Sequence, residues 1–145
     1  KNLIISPCRF SMEIDWARYY RVSSMQKVLI DACGWVAVIE AGINIDKALL
    51  ESSGISKITT TQSVISELES LDGNLLLDML TAKAELIEPL VESGKHTDDQ
   101  LFDLAKKYSW PILTVDTELK RRLSQENLSW IEVSGRSHLR MIRAE

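Results

Sequence analysis

The chain has 145 residues, 45% of them hydrophobic, enough to enclose one core and too few for several domains. No apolar run approaches the roughly 20 residues that span a bilayer, and two cysteines, Cys8 and Cys33, make no disulfide framework, so a cytoplasmic protein without a membrane partner is expected. The net charge of −4 hides a segregation: residues 29–118 hold sixteen acids and six bases, residues 1–28 five bases and two acids, and residues 119–145 six bases and three acids.

Residues 1–24 read as an N-terminal extension. Their SMEIDWARYYRV has the spacing of one amphipathic helix, with Met12, Trp16, Tyr19 and Tyr20 on a side. The KNLIISPCRF before it is too short in its apolar part for a signal peptide. Residues 25–145 read as the domain. VLID (28–31) is an apolar run ended by an acid, as a buried strand would be. WVAVIEAG begins a helical pattern that INIDKALLES continues. KITTT (57–61), rich in β-branched residues, is a second strand, and QSVISELESL a helix with Val64, Leu68 and Leu71 on one face. Asn74 to Glu92 carries a longer helical pattern interrupted before Pro89, with a short strand near LIEPLV as the competing reading. Then come a helix from Thr97 to Tyr108, a buried strand WPILTV, a helix from Thr117 to Ser124 and a last strand SWIEV, followed by a basic tail.

Strands alternating with helices imply βαβ units, hence a three-layer α/β/α fold around a mainly parallel sheet. Ligands of such sheets sit at the carboxyl ends of the strands. Asp31 and Asp116 both stand there. Each acid has a structural explanation of its own. Thr97, Asp98, Asp99 and Gln100 have the form of a capping box, Asp116 is a suitable N-cap worth about 1 kcal/mol, and Glu67 fits an exposed helix position. Asp31 is different, because a carboxylate closing a buried strand is costly unless paired or metal-bound. If Asp31, Glu67, Asp98, Asp99 and Asp116 share one edge, their repulsion calls for a hard divalent cation such as Mg²⁺ or Mn²⁺, one ion or two. His96 and His138 lack obvious catalytic partners, the chain has no C-x-x-C for zinc, and Cys33 reads as a small buried filler.

VLIDACGWV, TTTQSVISELESL, TDDQLFDLAKKYSWPILTVDTELKRRL and the closing SWIEV resemble the PIN domain family over about residues 27–133. The likeness is strongest to stand-alone archaeal members related to rRNA-processing and toxin endoribonucleases. The resemblance implies that Asp31, Glu67, Asp98 or Asp99, and Asp116 form a divalent-metal site that hydrolyses RNA, with Thr114 supporting it. It makes single-stranded RNA the expected partner, to be held by Lys120, Arg121 and Arg122. A second copy of the chain, an antitoxin and a ribosome-assembly factor are further candidates. The chain departs from the family in having Ala32 and Cys33 where polar residues usually follow the first Asp, and T-V-D in place of T-N-D. A PIN scaffold that binds RNA or a protein without cutting, and a toxin ribonuclease, therefore stand beside the processing-enzyme reading.

Overall fold

Val28–Ile30 form β1, with all three side chains fully buried, as expected of a strand covered on both faces. The computed structural model describes residues 26–71 and 74–143; the expected N-terminal helix lies outside them. Asp31 ends β1 and caps α1 (Ala32–Glu40), its side chain accepting from the Gly34 amide. The helix therefore starts three residues before the expected Trp35. Gly34, Trp35 and Val38 turn inward, and Trp35 Nε1 donates to the Leu76 carbonyl at 2.8 Å. The expected continuation into INIDKALLES is instead a separate helix, α2 (Ile45–Ser53), capped by Asn44. The turn between them passes through Gly42 at φ +67°, a backbone conformation that favours glycine.

The second strand, β2 (Ile58–Thr60), pairs parallel to β1. Thr61 caps α3 (Gln62–Ser70), which buries Val64 and Leu68. The long pattern from Asn74 resolves into α4 (Asn74–Lys83) and an edge strand, β3 (Ala84–Leu86), parallel to β2. Helical spacing overruns the helix here because Ala84, Glu85 and Leu86 are good helix formers, whereas the free edge of β2 recruits them as a strand. A single 3₁₀ turn at Val91–Ser93 leads to α5 (Thr97–Tyr108), β4 (Ile112–Leu113), α6 (Thr117–Gln125) and β5 (Trp130–Ser134). The capping box is not formed. His96 occupies the cap without a side-chain bond, Thr97 is the first helical residue, and Gln100 Nε2 donates to the Gly94 carbonyl at 2.9 Å.

The basic tail is corrected to β6 (His138–Ile142), antiparallel to β5 across a turn containing Gly135 at φ +63°. Leu139 is buried while His138 and Arg140 are exposed, the alternation of an edge strand.

The sheet order is β3-β2-β1-β4-β5-β6, parallel but for β6, with helices flanking it. The α/β class and mainly parallel sheet expected from the sequence are thus present. After β1 the chain builds outward to β2 and β3, then crosses back to place β4 on the other side of β1. A crevice opens where strand order reverses in this way, here between β1 and β4. Among the described residues no helix is long and apolar enough to cross a membrane.

Candidate active site

The register across the crevice pairs Ile30 with Leu113, so Asp31 and Thr114 are the next residues out on neighbouring strands. Thr114 Oγ1 donates to Asp31 Oδ2 at 2.5 Å and accepts from the Asp116 amide at 3.1 Å. One buried hydroxyl thereby sets the place of both acidic segments. Asp116 caps α6, accepting from the Glu118 amide at 2.9 Å. Glu67 comes from α3 and Asp98 from the first turn of α5. Asp31, Glu67, Asp98 and Asp116 line one open cavity of about 610 Å³.

Electrostatics link the four. Asp31 is 4% exposed, and burial pushes its carboxyl up from the ordinary range. The Thr114, Gly34 and Cys33 hydrogen bonds oppose that push, and the Asp98 charge adds to it. Glu67 is raised by burial and then by Asp98 and Asp31, with Thr97 donating a hydrogen bond that favours its charge. Asp98 is raised by burial and then by the Asp116 charge, against which Arg122 acts. Asp31, Glu67 and Asp98 each lie in the field of another carboxylate, an arrangement that disfavours their charged state and suits a cation.

The donor set fits a hard divalent ion: carboxylate oxygens around an open, water-accessible cavity, without imidazole. Among the described residues, no three His, Cys, Asp or Glu side chains are gathered closely enough to hold an ion; binding one would need Glu67, Asp98 and Asp116 to turn inward. Each is partly or largely exposed.

The other expected site residues are placed differently. Asp99 does not line the cavity; its Oδ1 is 2.9 Å from Arg122 Nη1. The three bases expected to hold RNA are all in ion pairs. Lys120 meets Glu132 at 3.0 Å, Arg121 meets Glu118 within its own helix, and Arg122 meets Asp99.

Sequence reasoning missed three contributors. Glu40 lines the cavity as a fifth carboxylate, on the α1 stripe Cys33, Val36, Glu40; that spacing of three and four was the available signal. Cys33 lies with Sγ 3.3 Å from both Asp31 oxygens and lines the cavity. Burial, then the Asp31 charge, pushes its thiol up. Gly34 holds Asp31 through its amide at 2.7 Å.

Glu132 holds Lys120 within a larger cluster. It accepts from Trp130 Nε1 at 2.9 Å, from Arg140 Nη2 at 2.7 Å and from Lys120 Nζ. The Trp130 bond first, then the Arg140 and Lys120 bonds, hold its carboxyl down at about 2 against an ordinary 4.5. A depressed acid stabilises the fold fully above its unfolded value and loses that contribution as pH falls through its folded value. Glu132→Gln should melt lower than the parent chain at pH 7, by about 1 kcal/mol. The gap should close between pH 4.5 and 2 in a pH series of thermal melts; a gap independent of pH means the carboxylate's charge contributes nothing.

The described fold is a mainly parallel α/β sheet with a carboxylate-lined crevice at its switch point. The structure superposes on the solved structure of the PIN domain endonuclease Utp24 with a TM-score of 0.71. The match covers 81% of this chain and 91% of that chain, at 20% sequence identity. A likeness at that identity establishes the shared fold. No family profile and no curated protein matches the sequence.

Proposed function

We propose that the chain is a divalent-metal-dependent endoribonuclease that hydrolyses phosphodiester bonds of single-stranded RNA. The observation that carries this reading is the meeting of Asp31, Glu67, Asp98 and Asp116 in one cavity at the β1/β4 crevice, with Thr114 bridging the two strand ends. Those four carboxylates would hold one or two ions of Mg²⁺ or Mn²⁺. Such an ion supplies acidification of water and charge stabilisation of a phosphodiester under attack. Asp31 is the fixed member, oriented by Thr114, Gly34 and Cys33; the more exposed Glu67, Asp98 and Asp116 are the members that adjust. Utp24 is described as an endonuclease, and the shared fold supports the same class of chemistry here.

The test is cleavage of a labelled single-stranded RNA in Mn²⁺ by the parent chain and by Asp116→Asn. Asparagine also caps helices well, so the variant should fold. Its rate should fall more than about 100-fold, as expected when a metal-site carboxylate is removed. Intact RNA with the folded parent chain, or an unchanged rate in the variant, overturns the reading.

A second reading is a scaffold that binds RNA without cutting it. Asp31 is followed by Ala32 and by Cys33, a weak thiol donor in place of a hydroxyl or amide, and among the described residues no three of the carboxylates are gathered to hold an ion. RNA binding that persists in EDTA, with no cleavage in any divalent metal, would decide for it.

A further inference from the structure

Asp98 and Asp99 open the same helix, yet only Asp98 lines the cavity. Successive helical residues project about 100° apart, and Asp99 is turned toward α6. There its carboxylate holds Arg122 Nη1 at 2.9 Å, while the Arg122 guanidinium carbon lies 4.5 Å from the Phe102 ring centroid. Phe102 follows Asp99 by three residues, so α5 offers a carboxylate and a ring on neighbouring positions of one face. Arg122 is thus gripped from two directions. Its charge also reaches Asp98, favouring that residue's ionised form against Asp116.

The neighbouring bases differ. Lys120 is committed to Glu132, the carboxylate that also takes Trp130 and Arg140. Arg121 pairs within α6 with Glu118, both more than half exposed, an arrangement that fixes little. Arg122 is the base of the three that is both held in place and close to the acidic cavity. A guanidinium has five N–H donors in a planar fork, and one Nη toward Asp99 leaves donors for a second anion.

Building on the nuclease reading, we infer that Arg122 grips a backbone phosphate next to the scissile one, and that Asp99 is its positioning residue instead of a metal ligand. Asp99 and Phe102 restrict the guanidinium before substrate arrives, so less side-chain freedom is lost on binding. The cation beside the cavity admits a polyanion to a site that is otherwise acidic. A phosphate contact of this kind fixes register along the strand and carries no base preference.

The test uses the full chain in Ca²⁺, with a labelled single-stranded RNA followed by anisotropy across a salt series, and Mn²⁺ calorimetry without RNA. Arg122→Ala should weaken RNA binding about tenfold and flatten the salt dependence by about 0.7 in the logarithmic slope, the value of one lost phosphate contact on a single strand. Arg122→Lys should keep the slope and recover part of the affinity, because a lysine retains the charge without the fork. Asp99→Asn should weaken RNA binding about threefold, a few tenths of the worth of a charged hydrogen bond, and leave Mn²⁺ affinity within about twofold, whereas Asp98→Asn should weaken Mn²⁺ binding at least tenfold. A merely structural Arg122 would lower the melting temperature of the alanine variant and leave the slope unchanged; that outcome overturns the inference. So does a tenfold loss of Mn²⁺ affinity in Asp99→Asn, which would make Asp99 a ligand. If the parent chain binds RNA but never cuts it, the nuclease reading fails while the slope still decides the role of Arg122.

Discussion

Asp31→Asn is expected to do two opposite things: remove metal-dependent cleavage, by more than about 100-fold, and make the metal-free chain more stable by about 1 kcal/mol. Asp31 is buried at the end of β1 with Asp98 in its field. Its carboxyl is raised above the ordinary value of 3.8, chiefly by burial. A raised acid favours folding fully below its unfolded value and loses that contribution as pH rises through its folded value. As pH rises and Asp31 ionises, its buried charge therefore weakens the fold that carries it. Asparagine keeps a carbonyl oxygen for the Gly34 amide, and its amide can donate to the Thr114 hydroxyl. The local frame then survives while the charge goes.

The expected gain corresponds to roughly 4 °C in the melting temperature of a domain of this size, measured at pH 8 in EDTA. Lowering the pH toward 4 should protonate the parent chain and bring its stability toward that of the variant. Mn²⁺ should raise the melting temperature of the parent chain and leave the variant nearly unmoved, since a ligand stabilises only the state that binds it. A variant that melts lower than its parent at pH 8 in EDTA would show that Asp31 is held for the fold instead of for a cation. A parent chain indifferent to Mn²⁺ would remove the basis for the metal site.

Much of this arrangement is legible in the sequence, for identifiable reasons. VLI between Lys27 and Asp31 can be buried on both faces only as an interior strand, and the acid that ends it must then lie at the sheet's carboxyl edge. WPILTVD repeats that logic for Asp116, and the reversal of strand order brings the two together. What stays hidden depends on partners distant in sequence. Asp98 and Asp99 are hard to separate on paper; Arg122, from the next helix, draws Asp99 aside. Lys120 looks free until β5 supplies Glu132. β6 escapes notice because Leu139 is its one buried apolar residue, and Arg136, Arg140 and Arg143 give the segment the look of a basic tail. The Thr97 box matches its pattern, yet the Gly94 carbonyl captures the Gln100 side chain and Thr97 enters the helix instead of capping it.

Gly34→Ala is expected to destabilise the chain by about 3 kcal/mol, near the upper end for added atoms in a packed interior. In an ordinary helix interior the same change would stabilise by up to about 1 kcal/mol. The reversal follows from how closely α1 approaches β4. A Cβ on Gly34 would run into the Leu113 carbonyl oxygen, 3.0 Å from the Leu113 carbonyl carbon and 2.9 Å from Asp31 Oδ1. Flexible side chains could yield, but here the obstacle is backbone. Leu113 is fully buried on a strand paired with β1 on one side and β5 on the other, so it has nowhere to go. α1 must lift instead, and lifting draws the Gly34 amide away from the Asp31 carboxylate that it holds at 2.7 Å. Activity should therefore fall together with stability, unlike in Asp31→Asn, where the two part company. Urea unfolding checks the magnitude, with Gly42→Ala as the comparison. Gly42 sits at φ +67° with open space around its Cβ position, so that change should cost only the left-handed strain of about 1 to 2 kcal/mol. A Gly34→Ala chain as stable as its parent would mean that α1 and β4 can separate freely, and a helix that loose could not hold Asp31 against Thr114.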